Sequence, residues 1–123
     1  MSEMGLGLPG QLLVHMDTHS QMLGAFGALA FSLSSDVFTT LALGKIWLEV
    51  PETIQVELSG EFKPGVDGRD FVHKLIQDHG SSWGSGSIIE FVGPGATNMS
   101  IDQRMNLLNM VCFAGSFKWS FSF

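Results

Sequence analysis

A single cysteine, Cys112, in a chain of 123 residues rules out an internal disulfide. One thiol also cannot by itself hold an iron–sulfur cluster. Basic side chains are nearly as scarce. Six Lys and Arg against twelve Asp and Glu leave a net charge of −6. That balance lacks the cationic footprint a phosphate backbone demands, so no nucleic-acid partner is expected. No run of about 18 apolar residues occurs, and no membrane span is expected. The opening Met1-Ser2-Glu3-Met4 has no basic n-region and does not read as a secretory signal. Asn98-Met99-Ser100 fits a glycosylation acceptor, but nothing else points to secretion. A cytoplasmic or organelle-matrix setting is the resulting expectation.

What the chain does have is 45% hydrophobic and 15% charged residues, enough for a globular core of modest size. Its most informative stretch is His15-Met16-Asp17-Thr18-His19-Ser20. Apolar Leu12-Leu13-Val14 leads into it, and the small-residue run Gly24-Ala25-Phe26-Gly27-Ala28 follows. Strand, polar tip, then glycine-containing helix is the order that sets side chains at the carboxyl end of a strand, where open α/β sheets bind ligands. Asp17 and His19 lie two apart and so share one side of an extended chain. They resemble two ligands of a metal site, but no third ligand stands at a recognisable spacing, and no metal is assigned.

Taken in order, residues 11–16 read as a short buried strand. Met22 to Phe31 is apolar all round and predicts a buried helix packed on a sheet. Asp36 is the expected N-cap of a short helix to Leu43, ended by Gly44. Ile46 to Val50 reads as a strand stopped by Pro51. Thr53 to Ser59 alternates, with Ile54, Val56 and Leu58 on one face, as in a half-buried strand. Asp67 to Asp78 predicts a helix with a Phe71, Val72, Leu75 and Ile76 stripe. Ile88 to Val92 predicts a strand closed by Gly93-Pro94-Gly95. Ser100 with Gln103 forms a capping box heading a helix over 100–112, along which Ile101, Met105, Leu108 and Cys112 fall at helical spacing. The aromatic stretch 116–123 has neither cap nor turn. Its loose alternation suits an edge strand without an evident partner.

Several of these stretches resemble, in order and spacing, the aconitase family, including the large subunits of 3-isopropylmalate dehydratase and homoaconitase. Asp17-Thr18-His19 is similar to the family's Asp-Ser-His motif. Leu43-Gly44-Lys45-Ile46-Trp47-Leu48-Glu49-Val50-Pro51-Glu52-Thr53-Ile54 resembles its Pro-Glu-Thr segment. Lys63-Pro64-Gly65-Val66, Ile89-Glu90-Phe91 with Gly93, and Ser100 to Met110 with Arg104-Met105 and Asn109-Met110 match three further landmarks. Val50-Pro51-Glu52-Thr53 is closer to the dehydratase and homoaconitase branch.

The resemblance implies an α/β chain made of partial three-layer α/β/α domains. Residues 1–52 would end a first domain, 53–115 would begin a second, and 116–123 would be a divergent tail. It implies a fragment of a hydro-lyase that isomerises a small hydroxy-acid by dehydration and rehydration, as in leucine biosynthesis. In the intact family the open iron of a [4Fe–4S] cluster acts as Lewis acid. Among catalytic positions, Asp17 matches an aspartate that pairs with a histidine elsewhere, and His19 a histidine that helps protonate the departing hydroxyl. Thr18 stands where a serine hydrogen-bonds a substrate carboxylate, and Asn109 matches an asparagine beside the cluster. Four residues after that asparagine the family has a glutamate that pairs with the motif histidine; here the position is Phe113. Ser32 and Ser34 stand where glycines are common. The cluster cysteines and the serine base belong to polypeptide beyond this chain.

The expectations are therefore a chain that alone binds no cluster and is inactive, and a complementing large-subunit remainder or small subunit as partner. The alternative is a non-catalytic interaction protein, or a small α/β binding domain, derived from that family. Either way, faces normally covered by missing layers should be apolar and exposed, favouring self-association or a partner.

Overall fold

The computed structural model describes residues 4–115 in full and the backbone of 118–121. Five strands form one sheet: β1 (Leu12–His15), β2 (Leu29–Ser32), β3 (Thr53–Glu57), β4 (Ile88–Val92) and β5 (Lys118–Phe121), in the order β1-β2-β5-β4-β3. β1 and β2 pair in parallel, as do β3 with β4 and β4 with β5. The antiparallel junction of β2 and β5, at Ala30 and Trp119, joins the two sets. Among the described residues, four α-helices accompany the sheet: α1 (Asp36–Leu43), α2 (Gly68–His79), α3 (Pro94–Asn98) and α4 (Ile101–Val111). The α/β class expected from the sequence is the one observed.

The core forms where β4 meets α2 and α4. Ile89 and Phe91 alternate onto one face of β4 and are fully buried against Val72, Leu107, Leu108 and Val111. Each such side chain contributes roughly 1.5–3 kcal/mol relative to exposure. β3 adds Ile54 and Val56 to the same face, in register with Ile89 and Phe91, while Thr53, Gln55 and Glu57 stay exposed. The alternation in the sequence thus marks a half-buried edge strand. Close packing of α2 on α4 depends on Gly68, where an added Cβ would lie 2.6 Å from the Leu107 nitrogen. The capping box expected at Ser100 is present, and α2 carries a second one beyond that expectation. Asp67 and Asp70 form one capping box, Ser100 and Gln103 the other.

Five details differ from expectation. The apolar run 22–31 is not one helix: a 3-10 segment, Thr18–Phe26, ends at Gly27 (φ 79°), and β2 begins at Leu29. An all-round apolar run suits a buried strand as well as a buried helix, and the left-handed Gly27 reverses the chain between the two. Asp36 is the first residue of α1, and Ser35 takes the cap position. Ile46 to Val50 forms no strand; Trp47 and Val50 are 84% and 91% exposed, and no ladder partner reaches them. Pro94 opens the short helix α3 rather than a turn, a position where its missing N–H costs nothing. The buried face of α4 is Leu107, Leu108 and Val111, with Ile101 41% exposed and Cys112 half-buried.

The aromatic end departs furthest. β5 is an interior strand between β2 and β4, not an edge. Non-local pairing alone specifies its place. Phe117 and Phe123 lie outside the described residues.

Candidate functional site

β1 ends at His15, and the chain turns through Met16 into the 3-10 segment, with Asp17 as its cap (φ −85°, ψ 135°). A short carboxylate at a cap accepts the free N–H groups of the first turn. Asp17 Oδ1 accepts from the His19 backbone N–H at 2.7 Å and lies 3.1 Å from His19 Nδ1. These two contacts, the backbone one foremost, hold the Asp17 carboxyl below the usual carboxylate range. With the proton on Nδ1, the pair leaves His19 Nε2 as the nitrogen Asp17 does not engage.

The tip is pinned from both sides. Ser20 Oγ donates to the Asp17 carbonyl at 2.7 Å, and Ser32 Oγ, at the end of β2, donates to the Met16 carbonyl at 2.7 Å. Ser32 Oγ in turn accepts from Ser34 N–H at 3.2 Å. Ser34 sits at φ 51°, the left-handed region that favours glycine. Of the two serines that stand at glycine positions of the resemblance, Ser32 ties β2 to the motif through its hydroxyl, and Ser34 contributes its backbone N–H to the Ser32 oxygen. The positioning role of Ser32 is not readable from the sequence, because a hydroxyl contact 16 residues away leaves no periodic signal.

The other wall comes from the end of α4. Phe113 places its ring edge-on to the His19 imidazole, with centroids 6.3 Å apart and planes at 65°. Cys112 Sγ donates to the Asn109 carbonyl at 3.3 Å. Burial pushes the Cys112 thiol up, and the negative charge of Asp17 adds to the shift. The structure therefore brings Asp17 and His19 together with Cys112 and Phe113, and sets Asn109 one turn back along α4. Thr18 is exposed beside them. Asp17 pairs with the motif's own histidine.

Beyond Ser32 opens a 790 Å³ cleft lined by Phe31, Asp36, Trp47 and the 48–52 segment. Its rim carries Asp36, Glu49 and Glu52, and none of its lining residues is Lys or Arg. Such a rim repels carboxylates. The donors present do not fit an iron–sulfur cluster: the sequence supplies one thiol, its titration pushed up by burial and its Sγ bonded to a backbone carbonyl. Among the described residues no group of three or more His, Cys, Asp or Glu could hold a metal ion, and no helix is long and apolar enough to cross a membrane.

Residues 1–119 match the sequence model of the aconitase family (aconitate hydratase). The chain is 39% identical over 116 residues to the 3-isopropylmalate dehydratase large subunit of Halothermothrix orenii, covering 94% of this chain and 28% of that protein. It is 39% identical over 115 residues to 3-isopropylmalate dehydratase large subunit 2 of Rubrobacter xylanophilus, covering 93% of this chain and 27% of that one. The chain thus spans little more than a quarter of the length of these relatives. With the motif resemblance, the sheet and a family match over 119 residues in agreement, the chain belongs to the aconitase family.

Proposed function

We propose that the chain supplies the Asp17-Thr18-His19 wall of a hydroxy-acid pocket in a hydro-lyase of the 3-isopropylmalate dehydratase type. It does so only together with polypeptide that carries the cluster cysteines and the serine base. The observation that carries this reading is the Asp17–His19 pair, bonded at 2.7 and 3.1 Å and exposed at the carboxyl end of β1. In that role Asp17 orients the imidazole, and His19 delivers a proton from Nε2 to the departing hydroxyl. The Thr18 hydroxyl donates to a substrate carboxylate, and Asn109 lies towards the cluster side. Because the adjoining cleft is ringed by acids, the cation that binds a dicarboxylate comes from the complementing polypeptide. A cytoplasmic or organelle-matrix setting goes with this reading.

A second reading, a non-catalytic interaction protein of the same descent, is favoured by Phe113. Its ring occupies the place beside His19 where a carboxylate would stabilise an imidazolium. The two readings part in one experiment. The chain is reconstituted anaerobically with iron and sulfide, alone and mixed with the remaining three-quarters of the Halothermothrix orenii large subunit and the small subunit. Visible absorption and turnover of isopropylmalate, homocitrate and citrate are then measured. The expected result is no cluster absorbance and no turnover alone, with turnover in the mixture that His19→Ala abolishes. Stoichiometric cluster absorbance with turnover by the isolated chain would sink the proposal. An inactive mixture leaves the interaction reading standing.

A further inference from the structure

Open α/β sheets bind ligands beyond the carboxyl ends of their parallel strands, and this sheet has two such edges. Because β2 and β5 run antiparallel, the strands of its two halves point in opposite directions. Asp17 and His19 stand at the carboxyl end of β1. The carboxyl ends of β3 and β4 lie at the other edge. The helix α4 spans the two: Gln103 stands in its first turn, and Phe113, beside His19, follows its end roughly 15 Å further along the axis.

At that second edge a cavity of about 420 Å³ opens between Phe62, Phe71 and Met99 and the polar Ser59, Glu61 and Asn98. Its volume falls within the ~300–1,000 Å³ of small-molecule sites. The walls are fixed by bonds of the chain itself. The Gly95 N–H donates to the Leu58 carbonyl at 2.9 Å, which ties α3 to the segment after β3. A Cβ at Gly95 would lie 2.9 Å from that carbonyl oxygen, so only glycine lets the two segments close. Arg104 donates to the Thr97 and Met99 carbonyls at 2.9 and 3.2 Å and holds the far wall.

Glu61 is the only charged residue among those lining the cavity. Among the described residues neither Glu61 nor Asn98 makes a side-chain hydrogen bond or ion pair within the chain. An ammonium group carries three donors and no acceptor. The Glu61 carboxylate and the side-chain oxygens of Ser59 and Asn98 supply matching acceptors. Phe62 and Phe71, with centroids 6.1 Å apart and planes at 51°, form an aromatic corner for an apolar body and a cation. A carboxylate or phosphate meets no Lys or Arg in this lining. We infer that the cavity is a binding site for a small primary amine with an aromatic or alkyl body. The inference stands whether or not the hydro-lyase reading holds, since it concerns neither Asp17 and His19 nor turnover.

An amide-resolved NMR titration of the full chain tests it, with phenethylammonium as the probe and phenylpropionate as its anionic counterpart. Salt near 0.15 M screens the long-range pull of the net charge of −6. Phenethylammonium is expected to shift the amides of Gly60, Phe62, Asn98 and Gln103 with a Kd of about 1 mM or tighter. Phenylpropionate should bind at least about ten-fold more weakly. Glu61→Gln, at an exposed position that spares the core, should weaken the amine about ten-fold. Glu49→Gln removes the same charge elsewhere and should leave its affinity unchanged. The absence of saturable shifts up to about 20 mM amine overturns the inference. Equal affinity for amine and acid does so too, since it reports apolar sorption without charge recognition. So does an amine indifferent to Glu61→Gln, or one that saturates only the acid-rimmed cleft at Asp36, Glu49 and Glu52.

Discussion

The Phe113 ring meets the His19 imidazole edge-on at 6.3 Å, so an apolar group orients the one histidine that also touches Asp17. The contact steadies the imidazole and offers it no acceptor. Phe113→Glu is therefore expected to create no hydration or dehydration activity in the isolated chain, since it restores a carboxylate but no Lewis acid. General acid–base help of about 10²–10⁴-fold does not replace that loss. Turnover by this variant alone would contradict the assignment. Phe113→Ala should cost no more than about 1 kcal/mol in urea unfolding, because the ring is 56% exposed.

Asp17 titrates below the ordinary carboxyl value, held there by the His19 backbone N–H first and its ring second. A depressed folded value makes the contribution to stability present above the unfolded value of about 3.9 and lost as pH falls through the folded one. Asp17→Asn should thus differ from the native chain at neutral pH and converge with it in strong acid. Unfolding midpoints measured from about pH 2 to pH 7 check the sign. A gap that widens on acidification would refute it.

Ser34 holds a left-handed φ of 51° while its N–H bonds the Ser32 hydroxyl. An L-residue there costs roughly 1–2 kcal/mol, against the ~0.5–1 kcal/mol of extra chain entropy that glycine loses on folding. Ser34→Gly should raise stability by about 0.5 kcal/mol without disturbing the Ser32 bond to Met16. A drop in the urea midpoint would show that the Ser34 side chain has a role its backbone does not reveal.

Gly68 lies where α2 touches α4, and its missing Cβ is what allows the approach to Leu107. Gly68→Ala forces backbone apart at the centre of the core and should destabilise by roughly 1–3 kcal/mol, despite alanine's better helix propensity. Chemical denaturation measures this directly. A neutral or stabilising result would mean the helices separate at no cost.

Trp119 pairs with Ala30 on one side and Ile89 on the other. Proline there removes a ladder N–H inside the sheet, so Trp119→Pro should cost about 3 kcal/mol or more. Glu49→Pro, in the exposed arm that pairs with nothing in the sheet, should cost under ~1 kcal/mol. Equal losses in the two variants would argue against β5 as an interior strand.

Local chemistry was readable wherever a residue's neighbours in sequence are also its partners in space. The capping box at Ser100, the alternation of Ile54 and Val56, and the strand at Ile88 to Val92 are written in spacings of two to four residues. The same holds for Asp17 and His19, whose bond spans two positions, and for the family motifs that single them out. Tertiary structure decided what depends on distant partners. Leu29 to Ser32 became a strand because β1 offered its ladder, whereas Ile46 to Val50, equally apolar, found none and stayed exposed. The chain's end became an interior strand only by lying between β2 and β4. The wall that Cys112 and Phe113 form against Asp17 and His19 joins residues nearly a hundred positions apart. No periodicity encodes such a meeting, because it is fixed by which apolar faces bury one another and not by the residues that are thereby brought together.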